Sequence, residues 1–181
     1  MNYAEIKNCD IANGPGVRVS LFVSGCTHHC KGCFNEVAWD FGYGKPFTQE
    51  TENKLLDMLN PDYIRGLTLL GGEPFEPENQ PALVHFLHRV RSECPGKSIW
   101  AYSGYVFDRD ILPGKLGDPA ITKDFLECMD VLVDGPFIES RKNLALRFRG
   151  SDNQRIIDVP KTLQSGEIVL WGDWQTRKEG M

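Results

Sequence analysis

The sequence CTHHCKGC at residues 26–33 directly follows the apolar run VRVSLFV at residues 17–23. This run alternates in polarity and is rich in β-branched and aromatic residues, a pattern that predicts a β-strand. The three cysteines therefore lie on a loop that leaves a strand, where they can converge on one metal centre. Four thiolates would complete the ligation of a cubane iron–sulfur cluster, whereas three leave one iron open to a ligand that is not protein.

The cysteine triplet is compatible with three kinds of site. The first is a 4Fe–4S cluster held by Cys26, Cys30 and Cys33. The second is a structural zinc ion with His28 or His29 as its fourth ligand, since zinc sites use the same spacings. The third is a redox dithiol formed by Cys30 and Cys33. Spacing alone leaves the cluster and the zinc ion about equally favoured.

Composition restricts the class of protein. The 181 residues are 41% hydrophobic and 25% charged, which is typical of one globular domain. The net charge of −5 argues against a nucleic-acid surface, which would require a basic face. No stretch resembles a membrane span or a signal peptide, so we expect no association with a membrane. Six cysteines, three of them clustered, indicate a reducing cytoplasm rather than a disulfide scaffold.

Strand and helix patterns alternate along the chain and predict an α/β fold with a mainly parallel sheet. The predicted strands cover residues 17–24, 67–70, 98–102 and 131–133, and two further short strands are expected at 155–159 and 167–171. The predicted helices cover residues 48–59, 83–90 and 120–129. Thr48 is the expected N-cap of the first helix, with an incomplete capping box because Thr51 replaces the usual glutamate.

Polar or glycine residues follow each of the four strands. They are Ser24-Gly25, Gly71-Gly72, Ser103-Gly104 and Asp134-Gly135. The carboxyl edge of a parallel sheet is where α/β proteins bind ligands, so these strand ends and the cysteine loop predict one site. In Gly71-Gly72-Glu73-Pro74, two residues without Cβ would let a ligand approach bare backbone. Glu73 would either favour an ammonium group or brace the loop.

The CxxxCxxC sequence after the first strand, together with Gly71-Gly72-Glu73-Pro74 after the second, resembles the radical S-adenosylmethionine enzymes. The resemblance implies that Cys26, Cys30 and Cys33 bind a 4Fe–4S cluster. The open iron of that cluster would chelate the amino and carboxylate groups of S-adenosylmethionine, and the glycine-glycine-acid motif would contact the methionine amino group. The fold that it implies is a partial, open (β/α) barrel.

Further motifs narrow the resemblance to the activating enzymes of glycyl-radical proteins, and within them to the branch that activates anaerobic (class III) ribonucleoside-triphosphate reductase. They are NGPGVR at residues 13–18, LFVSGC at 21–26, GCFN at 32–35, PGK at 95–97, SGY at 103–105, VLVDG at 131–135 and RGSDNQ at 149–154. The resemblance covers residues 1–155, which we expect to form a radical S-adenosylmethionine core domain. Residues 156–181 are expected to be a C-terminal extension, to which the sequence assigns no role.

The resemblance implies which residues contact the cofactor. Besides the cysteines, these are Gly32, Cys33, Phe34, Gly71, Gly72, Glu73, Ser103 and Asp134. Two positions depart from the pattern of many relatives. Gly32 stands where an aromatic residue often lies against the adenine, and Pro136 stands where some relatives carry a lysine.

The implied activity is that of an oxidoreductase similar to [formate-C-acetyltransferase]-activating enzyme. A donor such as flavodoxin would reduce the cluster, S-adenosylmethionine would be cleaved to methionine and a 5′-deoxyadenosyl radical, and this radical would take the α-hydrogen of one glycine in the reductase. An activase of another glycyl-radical enzyme, such as pyruvate formate-lyase, is the nearest alternative. A radical enzyme acting on a small molecule is a second alternative, and a zinc-binding interaction module is the most distant one.

The remaining cysteines and histidines have plain structural interpretations. Cys9, Cys94 and Cys128 are scattered, and free cysteine packs as a small hydrophobic residue, so we expect thiols that are at least partly buried. His85 and His88 lie off the apolar stripe of their helix and are expected to face solvent.

Overall fold

A mixed sheet of seven strands organises the chain in the computed structural model, which describes residues 1–172. The strands are β1 (Asn2–Asp10), β2 (Val17–Val23), β3 (Lys45–Pro46), β4 (Ile64–Gly71), β5 (Ser98–Tyr102), β6 (Val131–Asp134) and β7 (Arg155–Asp158). Their order in the sheet is β3-β1-β2-β4-β5-β6-β7. The central strands β2, β4, β5 and β6 are parallel, whereas β1, β3 and β7 join through antiparallel pairing.

The predicted α/β alternation is confirmed. Four α-helices are present in the described residues, namely α1 (Gln49–Leu59), α2 (Gln80–Glu93), α3 (Pro119–Glu127) and α4 (Val159–Ser165). The first three connect successive strands of the parallel centre, as crossover connections must. The prediction of the first helix is correct to within one residue. None of the helices in residues 1–172 is long and apolar enough to cross a membrane.

The two faces of the sheet differ in what covers them. Alternate strand residues such as Leu21, Leu69 and Ala101 pack with the apolar sides of the helices in the main core. On the other face, Trp100, Val131, Val133 and Ile156 form a smaller cluster with Tyr102, Phe148 and Trp171. Ile156 and Val159 are buried, so β7 and α4 are packed into the same unit as the preceding residues.

Several local predictions were wrong or incomplete. Strands β1 and β3 were not predicted, because β1 is a half-exposed, bulged strand whose side chains show no clear alternation. Residues 167–171 form one isolated bridge, between Leu170 and Ile157, rather than a strand. The capping box of α1 is complete, since the hydroxyl of Thr51 accepts a hydrogen bond from the Thr48 N–H at 3.4 Å. Helix α4 was also missed, because it is only seven residues long.

Candidate metal centre

A cleft of about 580 Å³ opens at the carboxyl ends of the parallel strands. All three cysteines of the triplet line this cleft, as do His28, Gly71, Gly72, Glu73, Ser103, Gly104 and Gly135. The convergence predicted from the four strand ends is therefore confirmed. It follows from the parallel register, which places Val23 beside Gly71 and Tyr102 beside Val133.

Backbone hydrogen bonds fix the start of the cysteine loop. Gly25 and Cys26 donate to the carbonyl oxygens of Ala38 and Trp39 at 2.8 and 3.1 Å, so the chain returns to the strand end after the triplet. The N–H of Glu73 donates to the Gly25 carbonyl at 2.8 Å, which ties the loop to the end of β4. Hydrogen bonds within the protein thus hold the loop on both sides.

The two glycines after β4 are required by close packing of the backbone. At Gly72, an added Cβ would lie 2.5 Å from the Gly25 oxygen and 2.9 Å from the Ala38 oxygen. At Gly71, where φ is +104°, it would lie 2.8 Å from the backbone of Phe22. The two glycines predicted to expose their backbone to a ligand therefore also make room for the cysteine loop and the neighbouring strand.

Glu73 braces this edge of the sheet. Its side chain is 1% exposed, and its two oxygens accept hydrogen bonds from the Phe75 N–H at 2.9 Å and the Gly104 N–H at 2.7 Å. His28 Nε2 lies 2.9 Å from the second of these oxygens. The carboxylate thereby joins the end of β4, the end of β5 and the cysteine loop, which is the bracing role considered from the sequence.

The two histidines of the loop have partners within the protein. His28 also packs edge-on against Tyr105, with ring centroids 4.2 Å apart. Burial lowers its pKa, but the hydrogen bond and the charge of Glu73 outweigh burial and raise the pKa above its usual value. His29 stacks on Trp39 with ring centroids 4.5 Å apart.

The thiols of the triplet are all free of disulfide bonds. Burial raises the pKa of Cys26 to about 12 and also raises the pKa of Cys30. Thiols of this kind lose their protons when a metal supplies the compensating positive charge. Cys33 Sγ accepts a hydrogen bond from the Asn35 N–H at 3.4 Å.

The three sulfurs of the triplet are not gathered as tightly as another set of ligating side chains. Within residues 1–172, the one group of three or more such side chains whose ligand atoms all lie within 4.8 Å of one another is at His88, Asp124 and Cys128. A 4Fe–4S cluster suits a wider arrangement of thiolates than a single ion does, because each thiolate binds a different iron.

The other predicted contact residues do not all reach the cleft. Phe34 lines it and is 75% exposed, with its ring 6.1 Å from that of Phe137. Ser103 lines it, while its hydroxyl accepts the Tyr105 N–H at 3.0 Å. Gly32, with φ +74°, lies outside the residues that line the cleft.

Asp134 also lies outside the lining residues. Its carboxylate is buried and accepts hydrogen bonds from the Phe107 N–H at 2.8 Å and from Arg155 Nε at 3.0 Å. Arg155 additionally pairs with Asp108 at 2.7 Å. Asp134 is therefore committed to the end of β6 and to β7.

Two residues that support the site were not predicted. The buried Glu76 accepts hydrogen bonds from the N–H and the hydroxyl of Thr27, at 2.7 and 2.6 Å. The Asn79 amide donates to the carbonyl oxygens of Ser24 and Glu73, each at 3.0 Å. Both belong to the polar run GGEPFEPEN at residues 71–79, whose density of acid and amide groups was the available signal.

Comparison with known proteins agrees with this geometry. A family model described as a 4Fe-4S single cluster domain matches residues 12–157. The chain is 42% identical over 156 residues to the anaerobic ribonucleoside-triphosphate reductase-activating protein of Escherichia coli K12, covering 85% of this chain and 96% of that protein. The protein of the same name from Vibrio cholerae is 43% identical over 158 residues, covering 86% of this chain and 97% of the relative.

The similarity extends to a virus. Enterobacteria phage T4 has a protein of the same name that is 41% identical over 158 residues, covering 86% of this chain and 93% of the relative. Cys26, Cys30 and Cys33 lie inside the region that the cluster-domain model matches. The chain belongs to the family of anaerobic ribonucleoside-triphosphate reductase-activating proteins and contains a 4Fe-4S single cluster domain.

Proposed function

We propose that this protein is a radical S-adenosylmethionine activase that generates the glycyl radical of anaerobic ribonucleoside-triphosphate reductase. The observation that carries the proposal is the placement of three free thiols in one cleft at the carboxyl edge of a parallel sheet, beside Gly71 and Gly72. The names of the relatives supply the partner. The proposed core domain is residues 1–155, extended by β7 and α4.

The residues present fit a cluster with one open iron. Cys26, Cys30 and Cys33 would hold it, and neither His28 nor His29 is directed to a fourth position, since one imidazole is bonded to Glu73 and the other is stacked on Trp39. When bound, the cluster and S-adenosylmethionine would supply one-electron cleavage of the S–C5′ bond and a carbon radical able to take the α-hydrogen of a glycine.

The protein itself provides position and shielding. The ends of β4 and β5 would hold the cofactor through the backbone of Gly71, Gly72 and Ser103, which line the cleft. Glu73 would contribute its negative charge beside the methionine ammonium group while it keeps the two strand ends together. No protein base is needed at the glycine, because a hydrogen atom moves rather than a proton.

We propose less direct roles for Gly32, Phe34 and Asp134 than for the residues at the ends of β4 and β5. Gly32 and Phe34 flank Cys33, so their backbone would lie beside the adenine, where many relatives place an aromatic side chain. Asp134 would act through the strand end that it holds, since its carboxylate is bonded to Arg155 and to the Phe107 N–H. Pro136 offers no cation for the cofactor carboxylate.

A protein substrate requires a wide entrance. The sheet ends in β3 on one side and β7 on the other, and we propose that it forms the short, open (β/α) barrel expected from the resemblance. The gap between these edges would admit a glycine-bearing segment of the reductase. A flavodoxin-type protein in an anaerobic cytoplasm is the proposed electron donor.

The test uses protein reconstituted with iron and sulfide under anaerobic conditions. Dithionite and S-adenosylmethionine are added, 5′-deoxyadenosine is counted, and an electron paramagnetic resonance spectrum is recorded with the anaerobic reductase present. We expect both the nucleoside and a glycyl doublet from the unmodified protein and from Cys9→Ser, an exposed thiol outside the cleft. Cys30→Ala should give neither.

Each alternative has its own result. Cleavage with a doublet only when pyruvate formate-lyase replaces the reductase would assign the other activase. Cleavage without a doublet on either protein would point to a small-molecule substrate. A colourless protein that contains zinc in place of iron and cleaves nothing would overturn the proposal.

A further inference from the structure

We propose that His88, Asp124 and Cys128 form a second metal site, separate from the cleft, that binds a zinc ion and joins helices α2 and α3. An imidazole nitrogen, a carboxylate oxygen and the thiol sulfur of these residues all lie within 4.8 Å of one another. None of the three residues lines the cleft. The proposal does not depend on the proposed function.

The fold brings these ligands together from two elements. Asp124 lies on α3 and Cys128 is its C-cap, four residues later, so the two side chains share one side of that helix. His88 lies on α2, which packs beside α3. Two ligands therefore come from α3 and a third comes from α2, so a metal ion bound by all three would link the two helices.

The ligand types suit zinc. Imidazole, carboxylate and thiolate are the groups that bind Zn²⁺, and three protein ligands with a water molecule complete a tetrahedral site. His88 Nε2 already lies 2.9 Å from an oxygen of Asp124, so the two outer ligands need only separate slightly to receive an ion. One carboxylate and one thiolate would balance the charge of Zn²⁺.

The proposed site is open to solvent on one side and attached to the main core on the other. The His88 side chain is 56% exposed, whereas Cys128 is 4% exposed and belongs to the main core. An ion could thus enter from solvent and bind a fixed sulfur below. The Arg91 guanidinium lies beside the site, where it donates to the Cys128 carbonyl oxygen at 2.7 Å and to Asp130 at 2.9 Å.

Another histidine on α2 provides a matched control. His85 Nδ1 lies 3.1 Å from Glu52, and its side chain is 67% exposed. His85 lies on α2, as His88 does, and forms a comparable pair with a carboxylate of α1, but it belongs to no group of three ligands in the described residues. If a histidine–carboxylate pair on this surface were enough to capture zinc, both sites would do so.

The experiment uses the cluster-loaded protein, so that the cysteines of the cleft are occupied by iron. The protein is equilibrated with Zn²⁺, freed of excess ion, and its zinc and iron are counted by mass spectrometry, while melting is followed with and without Zn²⁺. We expect one zinc per chain, unchanged iron and a higher Tm with Zn²⁺. His85→Ala should behave in the same way, whereas His88→Ala and Cys128→Ser should lose both the zinc and the rise in Tm.

The His88 variant keeps the test decisive if Cys128→Ser folds poorly, because His88 lies at the surface. Zinc retained by His88→Ala, or lost equally from His85→Ala, would overturn the site and leave a hydrogen-bonded surface pair beside a packed thiol. Zinc taken up only as iron is lost would also overturn it, since the ion would then occupy the cleft.

Discussion

The two ends of the parallel strands are built differently, although both contain buried polar groups. At the amino end, the fully buried Arg18 donates to Thr68 Oγ1 at 2.7 Å, to the Leu67 carbonyl at 2.7 Å and to Ser98 Oγ at 2.9 Å. It thereby joins β2, β4 and β5. At the carboxyl end, three thiols face a cleft instead, and none of them is bonded to a charged side chain.

The difference shows how one sheet separates stability from chemistry. A buried cation is tolerated at the amino end because its donors are satisfied within the protein. Burial still lowers the pKa of Arg18 to about 10, which is the sign of a charge held away from water. At the carboxyl end, backbone hydrogen bonds tie the cysteine loop to the strand ends, and the thiols are the proposed ligands of the cluster.

Gly72→Ala should have the largest effect on function. The new Cβ would collide with the Gly25 and Ala38 carbonyl oxygens and displace the cysteine loop from the strand end. We expect cleavage of S-adenosylmethionine to fall about hundredfold, as displacement of a reacting group by about 1 Å commonly does. Reconstituted iron and 5′-deoxyadenosine are the measurements.

Gly172→Ala is the control for that substitution, because no atom of residues 1–172 lies within 4 Å of its added Cβ. It should match the unmodified protein in both measurements. Equal losses in the two variants would mean that the collision at Gly72 has no special consequence for the site.

Arg18→Met tests the amino end and should act on stability rather than on chemistry. The variant keeps an unbranched side chain, but it loses the guanidinium group over Trp100 and leaves the Leu67 and Ser98 carbonyl oxygens without this donor. We expect the free energy of unfolding to fall by about 3 kcal/mol. Urea denaturation measures this change, and the exposed Arg65→Met is the control.

Iron binding per folded molecule should be unaffected in Arg18→Met. A variant that is stable but binds no iron would contradict the proposed division of roles between the two ends.

The sequence indicated the carboxyl end far better than the amino end, for a physical reason. Thiols at metal-binding spacing and glycines after strands are local patterns, and the parallel register then brings them together. Arg18 is a single charge inside an apolar run, and its partners lie 49, 50 and 80 residues away. Such long-range hydrogen bonds leave no periodic trace in the sequence.

The same reasoning accounts for two further features that the sequence did not show. Asp134 follows a strand like the other predicted contacts, but its pairing with Arg155 depends on β7, which arrives later in the chain. Cys9 was expected to be at least partly buried and is exposed, because it lies on the half-exposed, bulged strand β1, which was not predicted. The burial of Cys94 and Cys128 and the exposure of His85 and His88 were predicted correctly.

Glu73→Gln should have a smaller effect than the two preceding variants, and it should lower both the stability and the rate of cleavage. An amide offers one oxygen where the carboxylate offers two, so the N–H of Phe75 or of Gly104 would lose its acceptor. We expect a loss of about 1–3 kcal/mol in the free energy of unfolding, with slower cleavage of S-adenosylmethionine. The control is Glu36→Gln, an exposed residue close to the same loop. If Glu73→Gln were as stable as the unmodified protein and cleaved S-adenosylmethionine at the same rate, Glu73 would have no role in the site.

Lys97→Met should have the smallest effect and would show how local the amino-end network is. The ammonium group donates to the carbonyl oxygens of Pro61 and Ile64, both at 2.8 Å, at the turn that leads into β4. These bonds are partly accessible to water, which can replace the lost donor, so we expect a decrease of only about 1 kcal/mol in the free energy of unfolding. If urea denaturation instead gave a loss as large as that of Arg18→Met, the amino end would act as one cooperative unit. If the double variant of Arg18→Met and Lys97→Met lost the sum of the two single decreases in the free energy of unfolding, the two contacts would be independent.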